Sequence, residues 1–363
     1  MLPRCSPRFK LGVALYYFAF GCDYKTVADV GGIGESTAQA YVHEVSQAII
    51  SNLTDLYCAP PTPETVSYWR RLFGLRRGLD CVALAADGTH IPWIPNGVHN
   101  PEDYKNYKGF HSISCLAFVS SDYIFRGFEV GSPGGQGDAT IFSMSRVWYR
   151  IKNNAIGWLG PGGVVAVDSA WGVHTEFCLT PFKEGHENAS QNYFNFCHSS
   201  TRFFVEEAFG RLKARWRWLL YASNDSLAST IDLIYTCFLL HNFCEDNREP
   251  YTLTTLTKED VEDLYNLINR CSRQGGTKHL NVCRHCALYH HSFECNCKHK
   301  RRVRAPLGLV LWEGERDCEA LRDRLMGALL RAREDRQGAL GIVDKEYEGS
   351  NTRAALGQKK RQR

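Results

Sequence analysis

Cys81-Val-Ala-Leu-Ala-Ala-Asp-Gly-Thr-His-Ile91 is a run of small apolar residues that closes on an acid. Nothing within the run offsets the charge of Asp87, and Gly88 marks the chain turning out of a strand. The segment is therefore read as a strand that delivers a carboxylate at its end. Val164-Val-Ala-Val-Asp-Ser-Ala170, preceded by Gly162 and Gly163, repeats the arrangement and places Asp168 at the end of a second strand. Two such carboxylates suit a hard divalent cation, which prefers oxygen donors.

Downstream, Thr201 to Leu220 is predicted helical. Val205, Ala208, Phe209, Leu212, Trp216 and Leu219 recur at helical spacing and form one apolar face for the sheet. Glu207 then falls toward solvent. Glu206 sits about 100° from the centre of the stripe, at its border, with Arg202 and Lys213 on the same flank. From the residues alone, Glu206 is either a ligand reaching the strand ends or an exposed acid paired with Arg202.

Between the two acids, Ser112 to Val119 and Tyr123 to Val130 read as a hairpin that extends the sheet. The glycine-rich stretch Gly131-Ser-Pro-Gly-Gly-Gln-Gly-Asp138 is not a P-loop, because no Lys-Ser or Lys-Thr follows it. Asp138 precedes a helical stretch to about Ile151 and reads first as an N-cap and second as a metal ligand.

On the N-terminal side, residues 9 to 50 read as three short helices: Phe9 to Phe20, Tyr24 to Val30 and Glu35 to Ile50. Asp23 caps the second, and Gly31, Gly32 and Gly34 break the chain before the third. This is a helix-turn-helix layout, which would present Glu35, Ser36, Thr37 and Gln39 to base edges. The other reading is a helical cap on the main domain, since a recognition helix with Glu35 and no Lys or Arg is poor electrostatics for DNA. Cys58-Ala-Pro-Pro-Thr-Pro63 is a linker, with Thr62 and Pro63 starting a helix to Phe73. The expected plan is a helical domain over 1–57, linker and helix over 58–77, a catalytic α/β domain over 78–245 and an extension over 246–363.

Composition bounds these readings. A chain of 363 residues, 44% hydrophobic and 23% charged, is long enough for one sizeable core with attachments. The net charge of +4 is too small to diagnose a nucleic-acid partner. Its distribution says more: Lys298, Lys300, Arg301, Arg302 and Arg304 cluster, as do Lys359, Lys360, Arg361 and Arg363, which fits nuclear import, a polyanion partner or solvated tails. Most of the fifteen cysteines sit singly in apolar runs, as in a reducing compartment. Leu11 to Gly21 imitates a signal-peptide core, but no small-residue cleavage site follows, and no stretch is expected to span a membrane. In the extension, Cys283, Cys286, Cys295 and Cys297 form C-x2-C-x8-C-x-C near His290, His291 and His299, a spacing that suits structural Zn²⁺ or belongs to unpaired thiols. Glu315 to Asp335 reads as an exposed helix.

Asp87-Gly-Thr-His, Tyr107-Lys-Gly-Phe-His-Ser112, Gly131-Ser-Pro-Gly, Asp168-Ser, His198-Ser-Ser-Thr-Arg202, Glu206-Glu-Ala-Phe-Gly-Arg-Leu-Lys213 and Leu240-His-Asn242 together resemble the motif series of PIF/Harbinger-type DDE transposases and their domesticated nuclease relatives. With the helix-turn-helix, the resemblance spans residues 9 to 245. It implies an RNase H-like mixed sheet flanked by helices, with Asp87 on the first strand, Asp168 at the end of the fourth and Glu206 on a following helix. It further implies two Mg²⁺ (or Mn²⁺) ions, a water or DNA 3′-hydroxyl as nucleophile, double-stranded DNA as substrate and a separate DNA-binding partner protein; a homo-oligomer is compatible, and the basic clusters make the nucleus the expected location. Lys108, Arg202, Arg211 and Lys213 would then bind phosphates. The chain departs from the pattern at Gly137, where the family usually has His, and in a short N-terminal region. Both favour the rival expectation, a domesticated DNA-binding protein that keeps the fold and has lost cleavage.

Overall fold

The computed structural model describes residues 6–171, 177–182 and 188–248. The extension's cysteine cluster, its basic runs and the helix expected over 315–335 lie outside the described residues.

The run around Asp87 forms strand β1 (Val82–Pro92), buried along nearly its whole length. The hairpin is present as β2 (Ser112–Val119) and β3 (Phe125–Pro133). With the short strands β4 (Val164–Ala166) and β5 (Cys178–Leu179) they build one mixed sheet in the order β3-β2-β1-β4-β5. β1 pairs antiparallel with β2 and parallel with β4.

Both faces of the sheet are covered, and the alternation of side chains divides the core in two. Val82, Ala85, Ile113, Cys115, Ala117 and Val119 point into one cluster. Ala83, Leu84, Ala86, Leu116 and Phe118 point into the other. A strand buried on both faces reads as a continuous apolar run, which is why β1 shows no polar alternation before Asp87.

Asp87 is not at the end of its strand. β1 continues through Gly88 to Pro92, held by pairing from Asp87↔Ala117 to Pro92↔Ser112. The element that ends is its parallel neighbour, whose last pair is Ala85↔Ala166. Asp87 therefore stands just past the point where β4 stops and Asp168 leaves the sheet. Gly88 marks a close approach rather than a turn.

The N-terminal segment forms α1 (Pro7–Phe20), α2 (Tyr24–Gly31) and α3 (Glu35–Cys58). Asp23 caps α2 by accepting from the Thr26 N–H at 2.8 Å. α3 runs eight residues past its expected end and packs on α9 (Leu227–Asp246) and β3. Val13, Phe18, Val27, Val42 and Tyr57 share a cluster with the sheet residues Ala85 and Ala117, so the core runs across the boundary expected after residue 57. α4 (Pro63–Arg77) starts at its Thr62 cap and Pro63 as expected, extending past Phe73 to Arg77.

The opposite face is covered by α5 (Asp138–Met144), α6 (Arg146–Asn153) and α7 (Ala155–Leu159). α8 (Ala189–Arg215) begins twelve residues before the expected Thr201, because Asn188 and Gln191 form a capping box. Its expected apolar stripe is buried: Val205, Ala208 and Leu212 are fully covered, and Phe209 nearly so.

α9 is long and apolar enough to cross a membrane by length and composition, which corrects the expectation that no stretch reaches that size. Here that apolar character is used in packing against α3, β3 and α8. Asn242 clamps it to β3 by accepting from the Phe125 N–H at 2.9 Å and donating to the Phe125 carbonyl at 2.8 Å. Six of the eight cysteines among the described residues are buried.

Candidate active site

Three segments deliver acids to the middle of the sheet, where β4 stops beside β1. β1 presents Asp87, 8% exposed, with its Oδ1 accepting from the Gly88 N–H at 2.9 Å. The loop after β4 presents Asp168, whose Oδ1 accepts from the Ser169 N–H at 2.6 Å and the Ser169 hydroxyl at 3.3 Å. α8 presents Glu206 one turn after Arg202.

Arg202 joins them. Its Nη1 lies 2.6 Å from Asp87 Oδ2 and its Nη2 lies 2.6 Å from Glu206 Oε1. Burial opposes a charged guanidinium, but Asp87, Glu206 and Asp168 outweigh it and hold the Arg202 pKa above its usual value. Glu206 pairs with Arg202, as one of its two readings has it, but the pair is largely buried beside Asp87 rather than exposed on the helix. Among the described residues no group of three His, Cys, Asp or Glu side chains is gathered tightly enough to hold one ion as placed.

Asp138 is a fourth acid at the site, which the sequence reading took as an N-cap first and a metal ligand second. The N-cap of α5 is Gly137, and Asp138 is the first helical residue. Its carboxylate lies against Gly88, where a Cβ would come within 2.9 Å of Asp138 Oδ1. Burial, then the charges of Asp87 and Asp168, raise its pKa, while Lys108 pulls the other way. No pattern in the loop announces this, since an acid at a helix start has an ordinary local explanation.

Carboxylate oxygens from a strand, a loop and two helices, with a glycine that makes room for one of them, are a donor set whose chemistry suits a hard divalent ion, while as placed no three of them are gathered for one ion among the described residues. Asp87, Asp168, Glu206 and Asp138 are the residues that could hold it.

The basic residues separate into two groups. Lys108 reaches the field of Asp138 and lies 5.4 Å from the ring of Tyr107, itself 82% exposed. Their loop is fixed from below, where buried Asn106 donates to the Ser112 hydroxyl at 2.9 Å and that hydroxyl meets His90 Nδ1 at 3.1 Å. Lys213 and Arg211 are elsewhere than expected. Lys213 is buried and donates to Thr89 Oγ1 at 2.8 Å and the His90 carbonyl at 3.1 Å, with its pKa lowered by burial to about 7. It braces β1 from inside rather than offering a charge at the surface. Arg211 pairs with Glu207 and Glu245 and stacks on Tyr123 at 3.7 Å. Glu207, expected in solvent, accepts from Tyr123 Oη at 3.0 Å as well as from Arg211, on the side of α8 that meets α9.

Other motif residues are structural. His198 binds the Leu179 carbonyl through Nε2 at 2.8 Å, and His241 binds the Tyr123 carbonyl at 2.9 Å. On α3, Ser36 and Gln39 are exposed and Thr37 is half-buried.

This sheet flanked by helices, with acids converging from β1, the end of β4 and α8, is consistent with a DDE nuclease fold, and residues 86–242 match the family described as "DDE superfamily endonuclease". Over its wider length the chain is similar to curated proteins named as nucleases. It is 25% identical over 242 residues to the rat protein named "Putative nuclease HARBI1", covering 65% of this chain and 67% of the relative. The human protein of that name is 24% identical over 244 residues, with the same two shares, and the Xenopus laevis one is 23% identical over 245. No solved structure matches.

Proposed function

We propose that the protein is a metal-dependent DNA endonuclease or transposase that cleaves phosphodiester bonds on an RNase H-like core. The observation that carries this reading is the convergence of Asp87 and Glu206 on one guanidinium, within the field of Asp168. A cluster of acids held around a cation in the middle of a sheet has the chemistry of a two-ion phosphoryl-transfer site.

Two Mg²⁺ or Mn²⁺ ions, when bound, would supply activation of the attacking oxygen and stabilisation of the leaving one. Asp87, Asp168 and Glu206 hold them, and Asp138 adds a fourth carboxylate from the α5 side. Gly88 keeps that approach open by lacking a Cβ. Lys108 and Arg202 orient the phosphate, and the exposed Tyr107 ring offers a stacking surface beside them. Ser36, Thr37 and Gln39 read bases, either alone or with a separate DNA-binding partner. Substrate and basic clusters together point to the nucleus.

Incubating the full chain with supercoiled plasmid, with and without Mg²⁺, tests the proposal. Nicking that requires Mg²⁺ and disappears in Asp168→Asn is the expected result, and equal nicking by wild type and Asp168→Asn overturns it. The rival is a DNA-binding protein without cleavage. It is favoured by Gly137 and by the spread of the acids, no three of which are gathered for one ion among the described residues. Salt-dependent DNA binding with no Mg²⁺-dependent nicking would establish that reading instead.

A further inference from the structure

We propose that Arg202 is a built-in counter-cation of the carboxylate cluster, released from Asp87 and Glu206 when a phosphodiester takes its guanidinium, so that divalent-ion binding and phosphodiester binding are coupled through this one side chain. The inference deepens the reading of the carboxylates as a cation site and rests on it.

The geometry shows the competition directly. Arg202 is 12% exposed and donates to Asp87 Oδ2 and Glu206 Oε1, at 2.6 Å each, through two different guanidinium nitrogens. A divalent ion takes carboxylate oxygens at about 2.0–2.6 Å. An ion on the same two oxygens would meet the guanidinium at contact distance, like charge against like charge, so the two cations cannot both hold these oxygens at full strength.

Charge points the same way. Asp138 lies in the field of Asp87, Asp168 and Lys108, and Arg202 in that of Asp87, Glu206 and Asp168, so an added cation enters a cluster that already holds positive groups. Each further cation adds positive charge beside Arg202 unless Arg202 withdraws or an anion arrives.

A phosphodiester satisfies both conditions. It brings negative charge, and its two non-bridging oxygens match the planar fork of a guanidinium, which already uses two nitrogens to span two acceptors here. Arg202 projects from α8 one turn before Glu206, so a change of side-chain rotamer frees both acids without moving the helix. Coupling of this kind is reciprocal: the phosphodiester tightens the ions, and the ions tighten the phosphodiester by the same factor.

The test reads cation affinity rather than cleavage. Ca²⁺ is titrated calorimetrically into the full chain, with and without a short DNA duplex, for wild type, Arg202→Gln, Arg202→Lys and Asp87→Asn. In wild type, Ca²⁺ binds weakly alone and several-fold tighter with duplex. Arg202→Gln binds Ca²⁺ at least tenfold tighter without duplex and loses the tightening by duplex. Arg202→Lys, which keeps the charge but not the fork, falls between.

Ca²⁺ binding to Arg202→Gln no tighter than to wild type, or an equal effect of duplex on both, overturns the proposal. If Asp87→Asn abolishes Ca²⁺ binding in such a result, only the role of Arg202 falls and the cation site stands. If Asp87→Asn leaves Ca²⁺ binding unchanged, the cation site and this proposal fall together. Should thermal melting show Arg202→Gln unfolded, Arg202→Lys decides, with tightening of less than twofold counting against the proposal.

Discussion

Glu206 and Glu207 are adjacent acids of the same chemistry that α8 turns to opposite tasks, and exchanging each for glutamine separates site from scaffold. Glu206 reaches Arg202 beside Asp87, whereas Glu207 meets Tyr123 and Arg211 beside α9. Glu206→Gln keeps an amide oxygen as acceptor for Arg202, which also retains Asp87, so the melting temperature changes little. It removes a charge required to hold a hard cation, and Mg²⁺-dependent cleavage falls at least a hundredfold, equivalent to about 2.7 kcal/mol of transition-state stabilisation. Glu207→Gln has the reverse profile. The amide oxygen still accepts from Tyr123, and Arg211 keeps Glu245, so the loss is one charge-assisted contribution of about 1 kcal/mol. For a domain of this size that lowers the melting temperature by roughly 2–4 °C, with cleavage unchanged. Plasmid nicking and thermal melting on the same preparations provide both readouts. Equal loss of cleavage in the two variants, or inactivity confined to Glu207→Gln, would refute the assignment and the helix register beneath it.

Asp138→Asn relieves repulsion from Asp87 and Asp168, so stability holds or rises while cleavage at limiting Mg²⁺ falls about tenfold, a loss of roughly 1.4 kcal/mol; a Mg²⁺ titration indistinguishable from wild type would remove Asp138 from the site. Acid should destabilise the fold below neutrality. Burial, with Arg215 and Arg211 facing the ring, lowers the His241 pKa to about 3 despite its bond to the Tyr123 carbonyl, and burial with Lys213 and Lys108 lowers His90 to about 4. Their folded pKa values lie below the unfolded value, so the unfolded chain takes protons first and stability falls with pH from about 6.5 toward 4, by about 2 kcal/mol per histidine at pH 5. Urea melts at pH 7 and pH 5 measure the loss, and His241→Asn should flatten the slope. Ser36→Ala with Gln39→Ala should weaken site preference on DNA while leaving nonspecific, salt-dependent binding intact, as filter binding across salt would show. If the C-terminal cysteines hold zinc, purified protein contains about one zinc per chain and Cys286→Ser loses it with cleavage retained; a metal analysis without zinc ends that proposal.

The sequence by itself determined the apolar runs of β1 and β4, the hairpin and the helical stripe of α8, and it nominated the acids. Runs such as Val82–Ala86 and the spacing of Val205, Ala208, Phe209 and Leu212 encode burial in local periodicity, and the hairpin after residue 112 is set by composition and turn chemistry. The linked motifs identified the family, which spacing alone could not. The early start of α8 is also encoded, in the Asn188 and Gln191 box, well ahead of the apolar stripe that marks the helix by periodicity. Only the tertiary structure decided which charges meet. Asp138 reaches the site because α5 crosses the opening left by Gly88, and Arg202 bridges Asp87 across 115 positions of chain. Lys213, on the same helix flank as Arg202 in any helical projection, is sealed under β1, where it meets Thr89 and the His90 carbonyl, whereas Arg202 meets Asp87 and Glu206. Periodicity tells a residue which side of its own helix it occupies; what covers that side is set by elements far away in sequence, and the chemistry of each charge follows from that cover.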